Sequence, residues 1–412
     1  MDTENHMQQD RDALIVGAGP AGLALAIALA DAGFTATVLD AQPREALAAP
    51  AEDGRDIALT HASAATLRAL GLWQRLLPEE IGCIKEARVI DGDWQDRALS
   101  FSPQGSGSDV LGWIVPNHAL RRVSFAAAAE RPGLQLLDSA QVLRVGTEPG
   151  RVQLDFETSP GMPRQLQGRL FVAADSRFSW SRKQLGIAAD MHDFGRVMIV
   201  CRMRHDFPHG DVAYECFGYE RTLAVLPAVG HVSSVVVTAD AAAASQLLAL
   251  PEQAFAALVE RQFRSRLGRM QLLGKRFPYP LVAAYARRFV AQRSALVGDA
   301  AVGMHPVTAH GYNLGLQSVA SLVHALCEAR AAQQDISAAE VLAGYERAHR
   351  RDAAPIYHGT NAVARLYAST GAPQRLARQL LLRGAQHLPP LKAAITARLT
   401  GRGGLQLPGT TA

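Results

Sequence analysis

DALIVGAGPAGLALAIALADAGFTATVLD, residues 12–40, is the stretch whose reading decides the fold. Residues Asp12 to Val16 read as a short buried strand, and GAGPAG follows at once with Gly17, Gly19 and Gly22. LALAIALADAG then reads as an apolar, alanine-rich helix ending near Gly33, and TATVLD as a second strand ending at Asp40. This is a β-α-β unit with G-x-G-x-x-G at the strand-to-helix turn. The first glycine permits the tight turn, the second lets the backbone approach a pyrophosphate, and the third lets helix and strand pack closely. The helix N-terminus presents N–H groups to the phosphates. Asp40 lies 18 residues beyond Gly22, where a carboxylate can bind a ribose hydroxyl. The pattern predicts dinucleotide binding without separating NAD from FAD.

Outward from this unit the chain departs from a regular six-stranded dehydrogenase. RDIALTHASAATLRALGLW, residues 55–73, reads as a capped helix after an irregular segment. Strand-like pieces return at Gln135–Val145, Val152–Thr158 and Leu170–Ala174. Two further turns follow. LFVAADSRFSWSRKQLGI, residues 170–187, runs from strand to turn to helix at Asp175. SALVGDAAVGMHPVTAHGYNLGLQSVASL, residues 294–322, carries a strand at Ala295–Val297 into Gly298 and Asp299, then a glycine-rich loop into a helix beginning near Asn313. One bound molecule long enough to touch all three turns explains the spacing, and FAD is such a molecule. Asp299 can accept from its hydroxyls. The N–H groups of Gly311, Tyr312 and Asn313 at a helix start can stabilise negative charge on a reduced flavin. Between the second and third turns, Arg196–Met203, Val212–Gly218, Arg221–Pro227 and Val232–Thr238 are strand candidates at short spacing, followed by a helix at Glu252–Leu267.

Composition sets the frame. The chain has 412 residues, 19% charged and 48% hydrophobic, which excludes disorder and a collagen-like repeat. Cys83, Cys201, Cys216 and Cys327 form no CxxC pair, so no metal site and a reducing cytosol are expected. The polar start predicts no signal peptide, and no run reaches the ~18 apolar residues of a spanning helix. Charge is uneven. From Ala353 onward there are seven basic residues and no acid, whereas the first 352 residues hold 35 basic and 38 acidic ones. With no basic stripe in the body, nucleic acid is not an expected partner.

The three motifs together resemble the class A flavoprotein monooxygenases, which share the fold of para-hydroxybenzoate hydroxylase. Within them the chain is most similar to the ubiquinone-biosynthesis hydroxylases, the UbiH/UbiF/UbiM group, and the wording MHPVTAHG leans toward the UbiM branch. Five positions depart from the family pattern. Asp40 stands where a glutamate is commoner, Ala173 and Ser176 where glycines are usual, His310 for a glutamine, and Ser318 for an aspartate. The resemblance implies an α/β fold: an FAD-binding Rossmann-like domain of the GR2 type, an inserted, largely antiparallel β-sheet substrate domain and a C-terminal helical tail. The expected division is an FAD-binding part over 1–185, the sheet over 186–280, a second FAD-binding part over 281–352, and a basic helical region over 353–412.

The same resemblance implies the reaction. NADPH or NADH reduces FAD, dioxygen adds to give a flavin C4a-hydroperoxide, and an OH group passes to an electron-rich ring, here a polyprenylated phenol or quinol. The residues implied at the cofactor are Gly17, Gly19, Gly22, Asp40, Arg55, Arg121, Asp175, Gly298, Asp299, Gly311, Tyr312 and Asn313. Arg121 and Arg182 are either ligands of the cofactor phosphate or surface arginines. His305, Pro306 and His310, in the glycine-rich loop, either handle substrate and protons or are ordinary loop residues. Phe217, Tyr219, Leu226 and Pro227 either wall the substrate pocket or are sheet core. The stretch 372–402 reads as two short basic amphipathic helices. They either pack on the core, dock on an anionic membrane or contact a lipid-handling complex, so the protein is expected in the cytoplasm or at the inner membrane face. A hydroxylase of soluble aromatics, a flavin reductase or dehydrogenase without oxygen insertion, and a non-enzymatic assembly subunit are the alternatives.

Overall fold

The opening strand, Arg11–Val16, is buried from Ala13 to Val16, which is why it reads as an unbroken apolar run. It pairs in parallel with Ala36–Leu39 on one side and Pro163–Ala173 on the other. Leu134–Leu137 and Ser294–Leu296 extend the two edges, also in parallel. This first sheet of the computed structural model is completed by the short strand Val290–Ala291 and by the antiparallel pair Gln141–Glu148 and Arg151–Glu157. The structure describes residues 11–92, 98–104, 108–218, 221–305, 310–368 and 407. Pro20 opens the helix Pro20–Asp31, where a missing N–H costs nothing. Every residue of that helix from Gly22 to Leu29 is buried, so it is apolar all round rather than on one stripe. It packs between the parallel sheet and the helices Asn117–Ala129 and Gly311–Ala331.

The second sheet is eight-stranded. Its order is Val302–Gly303, Met270–Ala286, Ala189–His205, Val232–Asp240, Thr222–Pro227, Val212–Phe217, Glu86–Asp91 and Leu99–Phe101. All its pairings are antiparallel except Val212–Phe217 with Glu86–Asp91. One face packs against the helices Ala241–Ala249 and Glu252–Gln262 through Leu223, Val225, Val235, Val237 and Phe255. The other face turns toward a small three-stranded sheet of Asp56–Leu59, Gly112–Pro116 and Gly82–Ile84.

Several elements differ from the sequence reading. Gln135–Val145 is two strands, because the chain turns at Ser139 with φ +50°. The segment before Thr60 is a strand rather than irregular, and Thr60 caps the helix His61–Ala69 by accepting from the Ser63 N–H. The helix from Glu252 stops at Gln262, since Arg264 and Ser265 take positive φ. The sheet assigned to 186–280 also takes in 86–91, 99–101 and 302–303, and its longest strands run from Ala189 and to Ala286. The helix Ala339–Ala368 passes through the expected boundary at 352. The stretch 372–402 lies outside the described residues. Leu407, beyond it, is buried in the main core.

Candidate functional site

The first glycine turn shows three distinct demands. Gly17 has φ +110°, and a Cβ there would stand 2.5 Å from the Ala174 carbonyl oxygen. A Cβ on Gly22 would stand 2.0 Å from the Gly17 oxygen, so the helix crosses the strand at backbone distance. Gly19 differs: its φ is −73°, and a Cβ would meet nothing within 4 Å. Sterics inside the chain thus require glycine at 17 and 22 but not at 19, which faces open space at a helix N-terminus. That is the surface a pyrophosphate would occupy. Asp40 braces the turn: Oδ2 accepts from the Ala18 N–H at 2.8 Å and Oδ1 from the Gln42 N–H at 2.9 Å. Arg121 donates to Gln42 at 3.1 Å, so Arg121 and Asp40 meet at one corner through Gln42.

At the second turn, the chain itself uses the polar groups. Asp175 accepts from the Ser179 hydroxyl and from the Ser181 N–H at 2.8 Å, and Ser179 Oγ accepts from the Arg182 N–H at 2.8 Å. Arg182 is 3% exposed and donates to the Ala300 carbonyl at 2.8 Å and the Arg177 carbonyl at 3.0 Å. It is therefore neither a surface arginine nor open to a phosphate; it ties the second turn to the third. Ser176 sits at φ +84°, a conformation suited to the glycine usual at that place.

The third turn lies against the first. A Cβ on Gly298, at φ +59°, would come within 3.0 Å of the Ala21 Cβ, and Gly315 packs on the Gly298 Cα. Ser318 holds this contact, accepting from the Gly298 N–H at 3.1 Å and donating to the Gly315 carbonyl at 2.6 Å. Asp299 accepts from Arg177 at 3.0 Å, while Arg177 also donates to the Val282 carbonyl at 2.8 Å. The Asn313 side chain reaches across the fold. Its Oδ1 accepts from the Thr60 N–H at 3.1 Å, and its Nδ2 donates to the Ala58 carbonyl at 2.9 Å. Gly311 begins a 21-residue helix, and a Cβ on it would meet nothing within 4 Å. The first-turn N–H groups of a helix have no acceptor within it. The Tyr312 hydroxyl is buried with no hydrogen-bond partner among the described residues, and burial raises its pKa.

Two histidines precede this helix in the chain. Burial, then Arg177 and Arg196, push the His305 imidazole down to about 4, so it is neutral at pH 7. Its ring meets Phe194 edge-on at 4.6 Å. His310 immediately precedes the helix. Pro306 and Tyr219 lie outside the described residues. Arg55 pairs with Asp53 at 2.6 Å and lies over the Tyr279 ring at 5.3 Å. Burial pushes the Asp53 carboxyl up, but hydrogen bonds from Arg55 and Asn117 outweigh it and hold the carboxyl below its ordinary value.

The second sheet presents its inner face to this region. Ala213 and Leu226 pack with Ile84, Leu111, Ile114 and Ala58. Strand alternation puts Glu215 and Phe217 on the same side as Ala213. It puts Pro227 on the side opposite Leu226, so the two do not share a wall. Ala58 links the layers, since its side chain joins that cluster and its carbonyl receives Asn313. Phe217 and Leu226 are thus one layer from the helix start. Sequence reasoning missed Arg177, although it sits inside the second motif, and missed Glu215, whose only signal is a charge at an inward position of a strand.

The residues at the three turns fit an FAD: open space over Gly19 and Gly311, and a carboxylate at each end in Asp40 and Asp299. Comparison with known proteins agrees. The FAD binding domain family model matches residues 10–355. The ubiquinone hydroxylase UbiM of Neisseria meningitidis is 42% identical over 399 residues, covering 96% of this chain and 86% of that one. The ubiquinone hydroxylase UbiL of Rhodospirillum rubrum is 36% identical, covering 92% and 87%. Among solved structures, p-nitrophenol 4-monooxygenase PnpA from Pseudomonas putida superposes with a TM-score of 0.76 at 18% identity, covering 95% of this chain and 99% of that chain, a likeness of fold. The chain belongs to the FAD-binding-domain family of flavoprotein monooxygenases, in the group of the ubiquinone hydroxylases.

Proposed function

We propose that this enzyme hydroxylates the ring of a polyprenylated phenol or quinol on the route to ubiquinone, with NADPH or NADH as reductant and dioxygen as oxygen source. The observation that carries the reading is the 42% identity to a ubiquinone hydroxylase across 96% of the chain. FAD, when bound, supplies the redox and oxygen chemistry. The chain's residues hold and shield it. The turn at Gly17–Gly22 and the Asp40–Arg121 corner would take the adenosine diphosphate half. Asp299 and the helix start at Gly311–Asn313 would take the ribityl chain and the pyrimidine edge. Phe217 and Leu226 would accept the substrate ring and keep water from it, which matters because water diverts the reaction to hydrogen peroxide. His305 is neutral at pH 7 and can orient an oxygen without adding charge.

A prenylated substrate resides in a membrane. No helix among the described residues is long and apolar enough to cross one. The sequence 372–402 supplies basic residues interleaved with leucines, and in this reading it meets an anionic surface from the cytoplasmic side. The direct test feeds purified FAD-loaded protein a short-chain prenylphenol, NAD(P)H and labelled dioxygen. The expected product carries one labelled oxygen atom on the ring. NAD(P)H consumption with no label in any product would overturn the reading in favour of a reductase.

A further inference from the structure

Glu215 lies on the inner face of the second sheet, in the strand Val212–Phe217, and its setting is unusual for a carboxyl group. Its neighbours across the strands are Ala224 on one side and Val89 on the other. Ala213 and Phe217 flank it on its own strand. No hydrogen bond or ion pair ties it to any described residue. An isolated carboxyl on an apolar surface costs stability and is retained where it serves a ligand. Burial pushes its pKa up to about 8. The residue nevertheless keeps some accessible surface.

Of the charged and titratable groups on its own and the neighbouring strands, one shares its face. Asp91 shares the inner face, beside Phe217 on the neighbouring strand. Arg88, Tyr214 and Cys216 are on the opposite face by alternation. The strand Thr222–Pro227 offers Thr222, Ala224 and Leu226 inward, and the small sheet offers Ala58, Ile84 and Ile114. Among the described residues no cation pairs with Glu215.

We infer that Glu215 is the specificity-determining contact of the substrate pocket: it hydrogen-bonds the ring hydroxyl of the aromatic substrate and so selects a phenol over its ether. This rests on the function proposed above. A carboxyl is the group that can serve here in both forms. Neutral, its carbonyl oxygen accepts from the ring hydroxyl. Ionised, it accepts a shorter, charge-assisted bond. The apolar walls around it bind the ring without competing for that hydroxyl, and a pocket polar group left unpaired by the wrong ligand discriminates more strongly than an apolar wall does.

The test is a binding titration on FAD-loaded protein, read by the flavin absorbance change, with a short-chain prenylphenol and its O-methyl ether. Wild type should bind the phenol at least tenfold tighter than the ether, and its phenol affinity should rise between pH 7 and pH 9. Glu215→Leu should abolish the preference while leaving ether affinity within twofold. Glu215→Gln, which keeps an acceptor oxygen, should keep a preference but lose the pH dependence. A Leu variant that still prefers the phenol tenfold would overturn the inference with the function intact. A wild type that binds phenol and ether equally would do the same. A wild type that binds neither would remove the phenolic substrate and, with it, this role for Glu215.

Discussion

Gly17 and Gly19 stand two residues apart and fail in opposite ways when replaced. Gly17→Ala combines a positive φ with a Cβ 2.5 Å from a backbone oxygen, and should cost about 3 kcal/mol or more of stability. Gly19→Val places its side chain in space the fold leaves open, at a φ of −73° that valine accepts. The apoprotein should therefore melt near the wild-type temperature while the flavin spectrum is lost. Thermal melts of both apoproteins, with flavin content measured alongside, check the contrast; a Gly19→Val protein that stays fully yellow would sink the pyrophosphate assignment. Ser176→Gly is the converse, relieving φ +84° and stabilising by up to about 1 kcal/mol. Glu215 carries a pH signature of its own. Its folded pKa, about 8, exceeds the ordinary 4.5, so the folded state holds a proton that the unfolded state has released. Its contribution is fully present below pH 4.5 and declines as pH rises toward 8. Glu215→Gln should flatten that part of the melting-temperature profile, and an unchanged slope would show that the carboxyl is not buried as described. The glycine demands were legible in the sequence because they follow from local geometry. The setting of Glu215 was not, because strand register decides which side of a sheet a residue faces.

The helix from Gly311 and the strand before Thr60 form one unit through Asn313, whose two side-chain bonds join positions more than 250 residues apart. Sequence spacing identified Asn313 through its N–H at a helix start. It could not indicate that the side chain serves the strand Asp56–Leu59, since those partners meet only in the folded chain. Asn313→Leu would leave the Thr60 N–H and the Ala58 carbonyl without their partner, at a cost of about 1–3 kcal/mol each. Denaturant melts should register that loss, with weakened FAD retention because the helix start is no longer anchored. Asp299 illustrates a similar limit. Its motif was plain, but Arg177, its partner at 3.0 Å, comes from a turn 122 residues earlier. Asp299→Asn should reduce FAD affinity by about 1–3 kcal/mol, the usual scale for a charge-assisted bond. Unchanged affinity in a flavin titration would assign Asp299 to holding Arg177 alone.

Over the whole molecule, the dinucleotide half was the legible half. Its parallel strands are buried and apolar, and its turns carry glycines in fixed places. The second sheet was legible only in its middle, because Glu86–Asp91 and Leu99–Phe101 join it from a part of the chain that precedes the second turn. The basic C-terminal region raises the last question at this scale, and Leu407 decides how to ask it. Deleting everything after Gly371 would remove a leucine buried in the main core, so lost stability would be confused with lost membrane contact. Neutralising charge avoids that. Replacing Arg375, Arg378, Arg383, Lys392 and Arg398 by Gln removes five positive charges from a stretch with no acids and leaves Leu407 in place. Each basic residue near an anionic surface contributes about 1 kcal/mol. Wild type should therefore sediment with anionic vesicles at low salt, and the five-fold variant should stay in solution. Salt should release the wild type as well, since the field of each charge shortens to about 8 Å at physiological strength and further above it. Neutral vesicles should retain neither protein strongly, because the leucines alone then supply the attraction. Equal sedimentation of both proteins on anionic vesicles at low and high salt would reject electrostatic docking. A variant that melts lower than wild type, with unchanged sedimentation, would place these basic residues in the packing of the fold instead.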